Sequence, residues 1–186
     1  MADGANARTD EELMAAYVGG DDAAFRLLFE RYAPMLMRLT YRHLRSQELA
    51  REVVQQTFFQ MHAARHDFRT DRKLRPWVFT IAMNLVREHY RKKKRRKETE
   101  LDEARAASTD ELRQRGPVEA RQRKELLRAA MEKLPSTQRE VVELHWFDER
   151  PFAEVAEIVG STEGAVRVRA HRAYKRLKEL LGAELA

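Results

Sequence analysis

Cysteine is absent from the 186 residues, which excludes disulfides, thiolate metal sites and cysteine nucleophiles together. Glycine (7) and proline (5) are scarce, and no window alternates apolar with polar residues for long. Both absences argue for an all-α chain patterned by the helical period. Missing too is any run approaching ~18 uninterrupted apolar residues, so no membrane span is expected. The N-terminus lacks the basic-then-apolar order of a signal peptide, and the chain reads as cytoplasmic. What is present is 43% hydrophobic residues, enough for compact cores, and 35% charged residues. The formal net charge is +6, which favours a polyanionic partner. The length suits one medium domain or two small ones.

After a polar start at residues 1–9, Asp10 is placed to cap a short helix with Leu13, Ala16 and Tyr17 on one face, closed by Gly19-Gly20. A second helix begins at Asp21-Asp22. It carries Phe25, Leu28, Phe29, Tyr32, Leu36 and Leu39 as a core stripe and Pro34 as a local kink. A third, from about Gln47 to Arg65, holds Leu49, Val53, Val54, Phe58 and Met61. The polar segment His66 to Lys73 leads into a fourth, with Leu74, Trp77, Ile81 and Leu85 on one side, ending in the unbroken basic run Arg91 to Lys97. Composition then reverses. From Glu98 to Glu119 there are seven acids against three arginines and a Gly116-Pro117 stop, the signature of an acidic flexible linker. Helical patterning resumes over Ala120–Leu134, Ser136–Phe147, Phe152–Val159 and about Thr162 to Leu181. The expectation is two small helical domains, 10–97 and 120–183, tethered by 98–119.

In the C-terminal module Phe152, Val155, Ala156 and Val159 form the buried face of a short helix, Gly160 permits a sharp turn, and Ser161 is placed to cap the next helix. On that last helix Val166, Ala170, Ala173, Leu177 and Leu180 mark the core side. Gly164, Val168, His171, Arg172 and Lys175 face outward, flanked by Arg167, Arg169 and Arg176. Such a helix suits the major groove, its early turns to base edges and its cations to phosphates. A basic solvated face is the plainer reading of the helix taken alone. The stretch from Leu134-Pro135-Ser136 through Phe152–Gly160 to Gly164–Ala173 closely resembles region 4 of bacterial sigma factors of the extracytoplasmic-function, or group IV, type. That resemblance implies binding of the −35 promoter element and packing against the flap of the polymerase β subunit, with Arg167, Val168, His171 and Arg172 approaching bases or phosphates; Arg169, Lys175 and Arg176 join the expected DNA face by their place on the helix. Val168 and His171 depart from the commoner residues, which leaves the preferred −35 sequence open.

Residues 10–97 resemble region 2 of the same family, most specifically over Leu74-Arg75-Pro76-Trp77-Val78-Phe79-Thr80-Ile81-Ala82-Met83-Asn84-Leu85-Val86 and the basic run that follows. The resemblance implies recognition and opening of the −10 element. Thr80, Asn84, Arg87 and Arg91 form a polar stripe beside the apolar side of one helix. An extruded base needs a pocket with donors and acceptors, which the loop 66–73 with Phe68 can supply while Lys92 and Arg95 hold phosphates. Trp77 as plain core and Asn84 as a structural polar group are the alternatives.

The third helix corresponds to region 2.2, which in the family docks on the clamp helices of the polymerase β′ subunit through several carboxylates. Here Glu52 is retained, Gln56 replaces the usual acid and Arg51 adds positive charge; Glu48, Gln55 and Phe59 are the other docking candidates. A docking surface poor in acid should slow or weaken association with core polymerase. Two readings follow. In one, a Ser/Thr kinase restores roughly two negative charges by phosphorylating this helix, with Thr57 as first choice and Ser46 as second. In the other the chain is a weak binder or docks through apolar contacts. An anti-sigma factor is a further partner the resemblance implies. No catalytic constellation and no cofactor motif appears; His62 and His66 lie four apart but have no third ligand, so no metal is expected. The rival function is a free-standing helix-turn-helix regulator that binds DNA without polymerase.

Overall fold

The computed structural model describes residues 8–69, 71–99 and 118–184, and among these the regular structure is helical throughout. The chain divides into two units, Met1–Ser108 and Thr109–Ala186. The expected linker lies outside the described residues, except that the flanking helices reach into it from both sides.

The first unit packs α1 (Asp10–Val18), α2 (Asp22–Leu44), α3 (Gln47–Ala63), a 3-10 turn (Arg65–Asp67) and α4 (Leu74–Thr99) around one core. Thr9, not Asp10, caps α1. Its hydroxyl accepts the Glu12 N–H and the Glu12 carboxylate accepts the Thr9 N–H, a reciprocal Thr-x-x-Glu box. Asp21 caps α2 as its position suggests, accepting from the N–H groups of Ala23 and Ala24. Pro34 sits exposed inside α2 without ending it. The largest departure from the sequence reading is in α4. The core residues are Leu74, Val78, Phe79, Ala82, Met83 and Val86, while Trp77, Ile81 and Leu85 are only half-buried. Because α4 packs against α1, α2 and α3, its buried arc takes up roughly half the helix circumference. That arc is centred on the side next to the one the simple spacing picks out.

The second unit comprises α5 (Val118–Glu132), α6 (Ser136–Val142), a π-helical turn (Glu143–Phe147), α7 (Phe152–Val159) and α8 (Glu163–Glu184). Ala130, Met131 and Leu134 meet Val142, Ala173 and Leu177 in its core. Arg139 donates to the carbonyl oxygens of Glu132 and Leu134, satisfying the C-terminal end of α5. The single helix expected over 136–147 is broken by the π turn, in which Asp148 N–H reaches the Glu143 carbonyl. The wider turn sends Glu143 and Leu144 inward and leaves Trp146 and Phe147 exposed. In α7 the buried set is Val155, Ala156 and Ile158; Phe152 and Val159 are half-buried. Gly160 adopts φ 64°, the left-handed conformation that the turn into α8 requires. Ser161 donates its N–H to the Ala156 carbonyl and so completes the end of α7. The cap of α8 is Thr162, whose hydroxyl accepts the Ala165 N–H. Glu149 also has a left-handed backbone, φ 53°. Glu149→Gly is therefore expected to stabilise the second unit by about 0.5–1 kcal/mol, seen as a melting midpoint a few degrees higher. An unchanged or lower midpoint would show that the Glu149 side chain compensates its backbone.

Candidate nucleic-acid and protein interfaces

On α8 the division read from the spacing holds for most of the buried side: Val166, Ala170, Ala173 and Leu177 are in the core, and Leu180 is half-buried against it. Gly164, Arg167, Val168, His171, Arg172, Lys175 and Arg176 are exposed and Arg169 is half-buried. Arg167 is held rather than free. Its Nε and Nη2 donate to Glu163 Oε1 at 3.1 and 2.6 Å, and its guanidinium carbon lies 4.8 Å from the centre of the Phe152 ring. Phe152 is in turn stacked on His145 at 3.9 Å, and the His145 Nδ1–H donates to the Arg150 carbonyl at 2.7 Å. The turn before α7 thus builds an aromatic platform under an arginine at the start of α8. The sequence reading treated Phe152 only as core; a half-buried aromatic opening α7 was the available signal. Beside it Trp146 and Tyr174, each 58% exposed, stack at 5.9 Å, a pair the sequence reading missed.

In the first unit Phe68 packs against Trp77 at 5.1 Å, both half-buried, so the loop ahead of α4 rests on the apolar flank of that helix. The loop is tightened by Arg69, whose Nε and Nη2 fork onto Asp71 at 3.1 and 2.8 Å and hold that carboxyl below its usual range. Thr80 donates its hydroxyl to the Pro76 carbonyl, and Asn84 is exposed, its Oδ1 accepting from Arg87. Arg91, Lys92 and Arg95 are exposed on the continuing helix, with Lys92 paired to Glu88 at 2.8 Å. Between α4 and α3, burial, followed by the charge of Lys93, keeps the His89 imidazole below its ordinary pKa, and Glu52 works in the opposite direction.

Glu48, Arg51, Glu52, Gln55, Gln56 and Phe59 are all exposed on α3, and the Phe59 ring is 63% accessible. Thr57 is not among them. It has no exposed surface, and its hydroxyl donates to the Val53 carbonyl at 2.7 Å. The expectation of a hydroxyl open to a kinase at 57 is corrected on that ground, since Thr57 lies on the inner face of α3 with Val53, Val54 and Met61. Ser46 is the N-cap of α3, half-buried, its Oγ accepting the Leu49 N–H at 3.3 Å. His62 is engaged by the Tyr17 hydroxyl and by Arg65. Among the described residues there is no cluster of three or more metal-ligating groups, and no helix is long and apolar enough to cross a membrane.

Residues 28–96 match the sigma-70 region 2 family and residues 124–177 the sigma-70 region 4 family. The chain is 32% identical over 174 residues to the RNA polymerase sigma factor CarQ of Myxococcus xanthus, covering 91% of this chain and 95% of that one. It is 32% identical over 179 residues to the ECF RNA polymerase sigma factor SigM of Mycobacterium tuberculosis, covering 96% and 88%. Among solved structures, CnrH in complex with the cytosolic domain of CnrY is similar with TM-score 0.71 and 26% identity, covering 94% of this chain and 97% of that one. RpoE of Bartonella quintana, solved with the anti-sigma factor NepR, has TM-score 0.68 at 23% identity, covering 85% and 96%, a likeness of fold.

Proposed function

The chain belongs to the sigma-70 family of RNA polymerase sigma factors, of the extracytoplasmic-function type, and from that premise we propose how its residues divide the work of promoter recognition. The second unit reads the −35 element with the exposed face of α8, Arg167, Val168, His171 and Arg172 toward bases and Lys175, Arg176 and Arg169 toward phosphates. The first unit takes the −10 strand along Thr80, Asn84 and Arg87 of α4 and the loop with Phe68, while Arg91, Lys92 and Arg95 hold the backbone. Core polymerase docks through the α3 face of Glu48, Glu52, Gln55, Gln56 and Phe59 on the β′ clamp helices, and through the second unit on the β flap. The chain works in the cytoplasm, supplies no chemistry of its own, and needs no cofactor. The observation that carries the reading is α8, where a helix behind a glycine turn exposes Arg167, His171, Arg172, Lys175 and Arg176 around Val168 on a separately packed unit. An anti-sigma factor is a further partner, as NepR is of RpoE, and CnrH too is found in complex with the cytosolic domain of CnrY.

In-vitro transcription with core polymerase on a library of promoter sequences tests this. Initiation at a defined promoter with melting of its −10 region is expected. A chain that binds DNA alone and never directs core polymerase would be a free-standing regulator instead.

The α3 face, with its two carboxylates set against Arg51, supports the phosphate-activated reading, now with Ser46 as acceptor. A phosphate at this N-cap meets the helix N–H groups and dipole and adds negative charge at the edge of the docking face. Ser46→Asn keeps a cap acceptor and removes the phosphorylatable hydroxyl. Kinase treatment is expected to tighten core binding of the unsubstituted chain and to leave Ser46→Asn unmoved. Equal responses from the two would remove Ser46 from the reading.

A further inference from the structure

The N-terminus of α4 draws no side-chain cap from the residue before it. The residue before it, Lys73, carries no side-chain acceptor. Pro76, in the first turn, has no N–H to satisfy, and the Leu74 N–H is buried with the core. The missing acceptor arrives from another helix, 63 residues away in sequence: Glu11 Oε1 accepts the Leu74 N–H at 3.0 Å. The neighbouring Asp10 lies 3.8 Å from Arg75 in the same turn of α4. Asp10 also receives Arg31 Nη1 at 2.9 Å and the Tyr32 hydroxyl at 2.6 Å. Burial and that bond hold the Tyr32 phenol far above its ordinary pKa, so it remains a donor to Asp10. Two turns further along α1, the Tyr17 hydroxyl is hydrogen-bonded to His62 Nδ1, at the last turn of α3. Arg65 Nη1 binds the His62 carbonyl oxygen at 2.8 Å, and the 3-10 turn packs on α1.

Glu11 and Tyr17 therefore hold the residues that flank the segment 64–73, Leu74 and His62, from positions about 9 Å apart along one helix. We infer that α1 is a brace that sets the position of this loop, and that Glu11 and Tyr17 are positioning residues for capture of the −10 strand. The inference rests on the assignment of the loop to −10 recognition made under Proposed function. The physical reason is entropic and geometric. A ten-residue connection whose flanking helix ends can shift samples many conformations, whereas part-buried bonds that tie both ends to one helix fix their separation and narrow the range open to Phe68. The N-terminal acids of α1 are divided among three tasks: Glu12 completes its own cap, Glu11 caps α4, and Asp10 ties α1 to α2 and α4.

The test separates bracing from simple capping. A promoter is first selected by transcription with the unsubstituted chain and core polymerase. The holoenzymes of the unsubstituted chain, Glu11→Ala, Tyr17→Phe, Lys73→Ser and Glu11→Ala/Lys73→Ser are then compared. The readouts are affinity for the single-stranded −10 oligonucleotide, affinity of the chain for core polymerase, and the melting midpoint of the chain. Glu11→Ala is expected to weaken single-strand binding about tenfold, within the range for a lost base-stacking contact, with core binding unchanged. Tyr17→Phe is expected to weaken it in the same direction with a smaller change in melting. Lys73→Ser supplies a cap in cis, so the double variant should recover its melting midpoint but not its strand affinity, each judged against Lys73→Ser alone. Recovery of both would mean that α1 serves only as a cap, and the brace is then wrong. Unchanged strand affinity in Glu11→Ala and Tyr17→Phe, or parallel loss of core and strand binding, also overturns it. If the unsubstituted holoenzyme initiates nowhere, the parent reading falls with it.

Discussion

Phe79→Ala is expected to destabilise the first unit by about 3–5 kcal/mol, a large part of the 5–15 kcal/mol typical of a whole domain. The ring is fully enclosed in the core of α4, and a truncated side chain leaves a cavity that the helices on three sides cannot close without moving. Calorimetry should show the transition of the first unit falling by roughly 12 °C or more. The second unit has its own core of Ala130, Met131, Leu134, Val142, Ala173 and Leu177, so its transition should stay in place and −35 binding should survive. Promoter opening should be lost. Trp77→Ala is the informative contrast. Trp77 is half-buried against Phe68, so its truncation should cost less stability than that of Phe79 while still weakening capture of the −10 strand. A larger stability loss at 77 than at 79 would mean that the core of α4 has been misplaced.

Arg167→Ala is expected to weaken binding to the preferred −35 element by about 1–3 kcal/mol, or roughly 5- to 150-fold, and to relax the preference at one base pair. Its guanidinium is already ordered by Glu163 and by the Phe152 ring, so less side-chain freedom remains to be lost on binding DNA. Phe152→Leu keeps an apolar side chain under Arg167 but removes the aromatic face. It should produce a smaller loss at the same base pair, whereas Lys175→Gln should weaken all sequences alike and flatten the salt dependence. Anisotropy titrations of holoenzyme against single-base −35 variants read all three. A uniform loss for Arg167→Ala across every variant would assign it to a phosphate instead.

The buried side of α8 was legible in the sequence because its partners α5, α6 and α7 share one narrow stripe of it: Val166, Ala170, Ala173 and Leu177 lie in the core, and Leu180 is half-buried beside them. The turn at Gly160 and the cap at Asp21 were legible for a similar reason, each being settled within a few residues. Local pattern failed where the partners of an element spread over a wider arc of it. In α4, three neighbouring helices widen the buried arc, so Phe79 and Met83 enter the core and Trp77 turns aside onto the loop. In α3 the hydroxyl of Thr57 looks available by residue type, yet it faces inward and is used by the Val53 carbonyl. Capping by Thr9 and Thr162 instead of Asp10 and Ser161 turned on which of two adjacent polar residues was better placed for the helix N–H groups. That choice depends on backbone angles that composition does not reveal.

The sequence by itself determined the all-helical character, the order of the two motifs that place the chain among the sigma factors, and where its basic residues concentrate. These depend on residue type and spacing along a single helix. Only the tertiary structure decided which hydroxyl of the α3 region is accessible, which aromatic platform holds Arg167, and how Glu11 reaches across 63 residues to the start of α4. Each of those depends on how neighbouring helices fill space around a residue, which spacing along one helix does not reveal.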